Sequence, residues 1–304
     1  MAPEGSGPPR IIGPMSLNPP ERRFAVVTTC HAAGYDTYGR TMVETFLEHT
    51  PPDVPLWLYT EGFEADRVSD RLVVHDLVAS APELVAFKAR HRDLPMARGE
   101  DPRLRFQPRI AYDKKSHKLK VRLTRRFKGF RWDAIRFAHK SFAIFDAARR
   151  ADTDVLIWID ADTRFFADLT RPMLESFVPP DRLVGCLRRR DYTECGFVAY
   201  NMRHPAVHGM LADLEAMYTQ DLLFREREFH DSWLFDVVRR RAERRGALSY
   251  DIAEGVGMRT LHVLINSRLG SFMDHLKGGR KAAGASSAEE LVVPRTEAYW
   301  TERR

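Results

Sequence analysis

The stretch with most chemical content is Val155 to Phe166, VLIWIDADTRFF. Side chains alternate along an extended chain, so Asp160 and Asp162 emerge on one face, about 7 Å apart, with the small Ala161 between them. Five apolar residues run straight into the pair, which predicts a buried strand ending in two carboxylates. Two such groups suit a hard divalent cation, Mn2+ or Mg2+, which commonly shares its ligand shell with substrate phosphates. Two aspartates that only cap the next turn would show the same spacing, and D-x-D alone is a weak motif. Near the other end, FMDHLKGGRK gathers His275, Lys277, Arg280 and Lys281 around Gly278 and Gly279. The glycine pair permits close backbone approach, and fixed cations there could neutralise a departing anionic group. A lone histidine after Asp274 equally suits a surface position or a cap.

The elements that must position these groups follow from periodicity. Residues 1–21 are rich in Pro, Gly and Ser and read as a flexible leader. FAVVTT (24–29) reads as a first strand, CHAAGYDTYG (30–39) as a loop, and 41–49 as a helix. Strands follow at 54–60 and 71–77. A proline-broken segment over 88–131 reads as an insertion, mostly loop, in which KLKVRL hints at a short strand or helix. The apolar spacing of Ile135, Ala138, Phe142 and Phe145 predicts an amphipathic helix over 132–150, leading into the IDAD strand. Later come a short helix over 168–177, strands at 182–187 and 195–201, a helix from Pro205 to about Tyr218, and another capped by His230–Asp231–Ser232. LSYDI and LHVLIN read as late strands. Strands alternating with helices, then strand-rich structure, predict an α/β/α sandwich around one mixed sheet, with a Rossmann-like N-terminal half.

At the IDAD strand the chain resembles the nucleotide-sugar-dependent glycosyltransferases of the GT-A fold, whose DxD motif follows a central strand. The resemblance extends over most of residues 24–281, with 22–281 as a GT-A-like catalytic domain and 282–304 as a C-terminal tail. It implies a metal held by Asp160, Asp162 and His275, and a nucleoside diphosphate sugar as donor, a UDP-sugar being favoured. FAVVTTCHAAGY is similar to the family's first strand and nucleotide-contacting loop, which implies donor contacts from Thr29, His31 and Tyr35, with Tyr38 nearby. RFAHKSFAIFDAA resembles the helix that brings a basic residue, here Lys140, to the diphosphate. Lys140 lies about 160° from the centre of its helix's apolar face, so a solvated lysine fits equally well. CGFVAYN stands where glycogenin-like members carry a glycine, here Gly196, beside the sugar. Ala161, Lys277 and Gly278 join the implied donor contacts. Glu194 and Asp231 are the acidic candidates near donor sugar and acceptor. Either could deprotonate an acceptor hydroxyl in an inverting reaction, and Asp231 could instead be only the N-cap of its helix.

The 304 residues are 44% hydrophobic and 30% charged, with 18 Gly and 18 Pro, which excludes collagen-like and wholly disordered chains. No apolar stretch approaches the roughly 18 residues a spanning helix needs. The start lacks the layout of a secretory signal, and three cysteines without a CxxC suit a reducing, cytoplasmic setting. The formal net charge is +6, but Lys88 to Arg131 alone carries +12, which leaves −6 for everything else. That segment is expected to face an anionic acceptor, a glycan or lipid-linked hydroxyl compound, or the inner face of a membrane. Interleaved Phe106, Tyr112, Phe127 and Phe130 allow a nucleic-acid-binding alternative, which no recognised motif supports. A second alternative is a haloacid-dehalogenase-like Mg2+-dependent phosphatase, whose first motif DADT would match. Some 130 residues of strand and helix precede it here, and no GD-x-x-x-D follows.

Overall fold

Apolar side chains alternate between the two faces of the central strands, and that alternation builds two core layers. In the computed structural model, which describes residues 21–101, 107–113, 116–124 and 129–302, Ala25, Val27, Leu156 and Trp158 enter one layer. Phe24, Val26, Val155, Ile157 and Ile159 enter the other. The strands are β1 (Phe24–Cys30), β2 (Leu56–Thr60), β3 (Leu72–Asp76), β4 (Gln107–Asp113), β5 (Lys118–Thr124), β6 (Val155–Ile159), β7 (Thr163–Phe165), β8 (Val184–Leu187), β9 (Glu194–Asn201), β10 (Tyr250–Asp251) and β11 (Met273–His275). The main helices are α1 (Arg40–His49), α2 (Pro82–Arg90), α3 (Ala134–Arg150), α4 (Arg171–Phe177), α5 (Val207–Thr219) and α6 (Asp231–Arg244).

Seven strands form one mixed sheet in the order β10-β8-β9-β6-β1-β2-β3, and β4–β5 and β7–β11 form separate two-stranded pairs. Neighbours pair in parallel from β6 through β3, whereas β9 runs antiparallel to both β6 and β8. Helices α3, α5 and α6 cover one face; α1 and α4 cover the other. The α/β sandwich and continuous mixed sheet agree with the sequence reading. The chain leaves β1 toward β2 on one side and toward β6 on the other, a reversal of strand order that opens a crevice beyond their C-terminal ends. Cys30, Thr60 and Ile159 end their strands at that edge, and Asp160 is the next residue out.

Several local expectations are corrected. Residues 32–39 are not a loop: a turn of α-helix (Ala32–Gly34) and a π-helical turn (Tyr35–Gly39) run directly into α1. LHVLIN is not a strand, since Val263–Asn266 form a helical turn. Its apolar run was too short for periodicity to decide, and the Asn266 amide fixes it by donating to the carbonyls of His262 and Glu290. The basic segment is less loop-like than expected, because it contains most of α2's basic end, a 3-10 turn (Pro95–Arg98) and the β4–β5 hairpin. Residues 1–20 of the expected leader lie outside the described residues. Among the described residues no helix is long and apolar enough to cross a membrane.

The last residues, expected as a tail over 282–304, pack back onto the domain. Trp300 is buried, its Nε1 donates to the Gly270 carbonyl at 2.7 Å, and Tyr299 stacks on Phe166 with ring centroids 4.1 Å apart. Tyr299 also donates to Asp274, one residue from His275. Trp300→Ala is therefore expected to cost about 3–5 kcal/mol in urea unfolding, as for other large buried aromatics. A change under about 1 kcal/mol would show that the anchor is dispensable.

Candidate active site

The crevice beyond β6 is built from three parts of the chain. Asp160 follows β6, Asp162 precedes β7, and β7 pairs antiparallel with β11 so that His275 lies opposite Thr163. The Leu276 amide donates to the Asp162 carbonyl at 2.7 Å, which continues this short ladder. The pairing brings His275 across 113 residues of chain to the two carboxylates. One ligand atom each from Asp160, Asp162 and His275 lies within 4.8 Å of the others, the one such group among the described residues.

His275 is fully buried, with Nε2 at 3.1 Å from Asp162 Oδ1 and 3.4 Å from Asp160 Oδ2. Burial alone would lower its pKa, but the two carboxylates outweigh that and push it up to about 9. Burial would likewise raise the Asp160 and Asp162 carboxyls, yet Lys140 and His275 hold the first well below its ordinary value and His275 chiefly lowers the second. Two carboxylate oxygens and one inward-facing imidazole nitrogen are a donor set that fits a divalent cation such as Mn2+.

Gly196 makes room for that imidazole. A Cβ at this position would lie 2.4 Å from His275 Cε1 and 2.7 Å from Nδ1. The ring is fully buried, so it would have to shift from this position to admit a methyl group. Gly196→Ala is accordingly expected to destabilise by about 1–3 kcal/mol and to abolish metal-induced stabilisation, both read from melting curves with and without Mn2+. A variant with an unchanged metal response would show that His275 is not held where the glycine places it.

Lys140 is not the solvated lysine that its place on the helix allowed: its side chain is 11% exposed and lines the crevice. Its ammonium lies 3.0 Å from Asp160 and 2.8 Å from Asp231, donates to the Cys195 carbonyl, and sits 4.8 Å from the Trp158 ring centroid. An ammonium has three N–H donors, and these three acceptors take them up. Lys140 nevertheless lines the crevice, so distance from the apolar stripe did not mean exposure to water. Asp231 is not the N-cap either. His230 holds that position, and Asp231 is the first helical residue, its carboxylate committed to Lys140. Burial would raise the Asp231 carboxyl, but Lys140 beside it keeps it far below the usual range.

Glu194, at the start of β9, is buried between Lys277, Arg189 at 3.2 Å and the Gly196 amide at 3.1 Å. Its pKa is lowered, the cost of burial being outweighed by Lys277, His275 and Arg189. Lys277 reaches it from a turn in which Gly278 has φ of +60°, a conformation that favours glycine.

Two cavities flank the carboxylate–histidine group. One, of about 320 Å3, is lined on the β1–β2 side by Thr29, His31, Tyr38, Glu61, His139 and Ala161. The other, of about 370 Å3, lies toward β9 and α6 and is lined by Phe130, Arg189, Tyr192, Glu194, Gly196 and His230. Asp160, Asp162, Asp231 and Lys281 border both. Thr29 and His31 line the first cavity. Thr29 Oγ1 donates to the Tyr59 carbonyl at 2.7 Å, and His31 Nδ1 accepts from the Gly34 amide at 3.1 Å. Tyr35 does not: it is buried against Phe63 and bonds Asp66, since the π-helical turn directs it into the core and Tyr38 outward.

Lys281, one of the cations gathered around the glycine pair, has its Nζ 2.9 Å from Asp162 and 4.3 Å from the Tyr38 ring centroid. Two other lining groups escaped the sequence reading. Trp158 Nε1 donates to Asp160 at 2.7 Å. Glu61 pairs with His139 Nδ1 at 2.5 Å on the wall of the first cavity. Glu61 directly follows β2, and Trp158 lies two residues before Asp160 on the same strand. A search of every strand's C-terminal end would have found both.

No family model matches the sequence, and comparison with curated proteins finds no match. Among solved structures, the chain is similar to mouse xyloside xylosyltransferase 1 in its apo form, at 10% identity and a TM-score of 0.42, over 75% of this chain and 84% of that one. It is also similar to the glycosyltransferase GlyE of Streptococcus pneumoniae TIGR4 in its apo form, at 11% identity and TM-score 0.39, over 76% of this chain and 46% of that one. A third is the bifunctional glycosyltransferase WbbM, at 13% identity and TM-score 0.41, over 79% and 40%. The chain thus spans less than half the length of the latter two.

Proposed function

We propose that this chain is a metal-dependent glycosyltransferase that moves a sugar from a nucleoside diphosphate sugar, preferably a UDP-sugar, to a hydroxyl acceptor. The observation that carries this reading is the convergence of Asp160, Asp162 and His275 at the C-terminal edge of the sheet, between two cavities. One cavity is suited to a nucleotide and the other to the transferred sugar and its acceptor. Asp160, Asp162 and His275 would hold Mn2+ or Mg2+, which when bound supplies Lewis-acid neutralisation of the leaving diphosphate.

The remaining chemistry falls to the chain's own side chains. Lys281, with Lys277 on the same glycine turn, brings positive charge to the site and helps stabilise the leaving group, while Arg280 is engaged by Glu290. Thr29, His31, Tyr38 and the Glu61–His139 pair orient base and ribose. Lys140 acts one step back, fixing the positions of Asp160 and Asp231. Glu194 and Asp231 face the sugar and acceptor as hydrogen-bond acceptors for hydroxyl groups. Adjacent cations hold both ionised, which makes them better suited to orienting a hydroxyl than to taking up its proton. The group completing the acidic pair is a histidine, and no second acidic cluster of the kind a haloacid-dehalogenase-like phosphatase needs is found among the described residues.

Thermal unfolding with nucleoside diphosphates tests the reading. UDP with Mn2+, at about a hundred times its Kd, is expected to stabilise the protein by about 2.7 kcal/mol, and chelation by EDTA should remove most of that. The proposal fails if no nucleoside diphosphate stabilises the protein with either metal. Efficient Mg2+-dependent phosphate release from a phosphomonoester would replace it with the phosphatase reading.

A further inference from the structure

The β4–β5 hairpin carries side chains that an isolated ribbon in water has no reason to carry. Its register places Ile110 opposite Val121 and Tyr112 opposite Leu119. Opposed residues, and residues two apart on one strand, share a face, so these four form one continuous apolar surface. They are exposed to 66%, 64%, 57% and 69% respectively, and no described residue covers them. The Tyr112 hydroxyl meets His117 Nδ1 at 3.0 Å and gives this surface a polar edge. The segment from Lys88 to Arg131 that contains the hairpin carries a net +12.

The chain on either side of the hairpin segment is held together at Gly99 and Gly129. The Gly129 amide donates to the Gly99 carbonyl at 2.8 Å, and the Gly99 amide donates to the Trp132 carbonyl at 3.1 Å. Gly99 has φ of +93°, which lets the chain turn out and return at one point. Phe130, next to Gly129, is 47% exposed and lines the β9-side cavity. The described residues flanking the hairpin segment thus meet the body beside that cavity.

We propose that this hairpin docks the protein on an anionic membrane surface, with Ile110, Tyr112, Leu119 and Val121 entering the interface and the surrounding cations meeting lipid headgroups. Charge complementarity selects this occupant. A second copy would bring one strongly cationic segment against another. Single-stranded nucleic acid would match the charge, but its bases need aromatic platforms, and three of these four side chains are aliphatic. A bilayer with acidic lipids satisfies both features, since apolar side chains and basic residues together make interfacial anchors, and tyrosine suits the boundary. The inference stands apart from the glycosyltransferase reading.

The full chain should be sedimented with phosphatidylcholine vesicles and with vesicles that also contain phosphatidylglycerol. Binding is expected only to the second, and added salt should weaken it. The triple variant Ile110→Ser, Leu119→Ser, Val121→Ser should bind at least about tenfold more weakly. Its melting temperature and its response to UDP with Mn2+ should match those of the unmodified protein, which keeps this test separate from that of the catalytic site. Lys118→Glu with Lys120→Glu, which lowers the segment's net charge from +12 to +8, should weaken the preference for phosphatidylglycerol. The proposal is overturned if the unmodified chain stays in the supernatant with both vesicles, or if either variant binds as tightly as it does. It is also overturned if the chain binds RNA, or dimerises, while ignoring vesicles.

Discussion

Asp162→Asn is expected to lower glycosyl transfer by about three orders of magnitude and to remove Mn2+-dependent stabilisation, while leaving the fold in place. The metal's contribution to neutralising a leaving diphosphate is several kcal/mol, and each 1.36 kcal/mol is tenfold in rate. Asparagine keeps the shape of the side chain and an oxygen that can accept from His275 Nε2, now 3.1 Å from Asp162 Oδ1. The Asp162 carbonyl, which holds the Leu276 amide, is untouched. What is lost is the charge that faces both the metal position and Lys281 at 2.9 Å. Isothermal titration with Mn2+ and an assay of transfer, alongside circular dichroism, separate loss of metal from loss of structure. Full metal affinity in the variant would remove Asp162 from the ligand set.

Lys140→Met is expected to be the most destabilising single change in the site, by about 3 kcal/mol or more, because it strands buried carboxylates without their cation. The effect depends on pH. With Lys140 present, Asp231 is held well below its unfolded pKa, so its contribution to stability is in place above about pH 4 and fades as pH falls further. Without Lys140, burial dominates and the carboxyl's folded pKa rises above the unfolded one. The variant should then lose stability as pH rises through that interval. Urea unfolding at pH 7 and near pH 4 should show a deficit that shrinks on acidification, and adding Asp231→Asn should recover part of it at pH 7. Equal deficits at both values would contradict the buried-pair account.

How legible these groups were in sequence depended on how locally they are determined. The Asp160–Asp162 pair was visible because a fully buried strand leaves a continuous apolar run, and whatever follows it lies at the sheet edge. The Ala134–Arg150 helix was visible from its own periodicity. His275 and Lys277 emerged only through a resemblance, since nothing local to FMDHLKGGRK announces the β7–β11 pairing that places them. Lys140 stayed open between a site and a solvated reading because helical periodicity identifies the core-facing stripe but not which partners meet the rest of the helix. Tyr35 points inward and Tyr38 toward the cavity because a π-helical turn shifts side-chain direction by more than a loop reading could specify. Trp300 looked like part of a tail because its partners, Gly270 and Phe166, are remote in sequence from one another.

The β7–β11 ladder also orders the assembly of the candidate site. Residues that build the central sheet are synthesised well before Met273, and domains commonly begin to collapse as they leave the ribosome. A nascent chain can thus acquire its sheet while Asp160 and Asp162 still lack their histidine. The carboxylates and His275 meet only when β11 adds to β7, a non-local contact of the slow-forming kind. Competence to capture metal should consequently appear late in synthesis, as an abrupt gain rather than a gradual one.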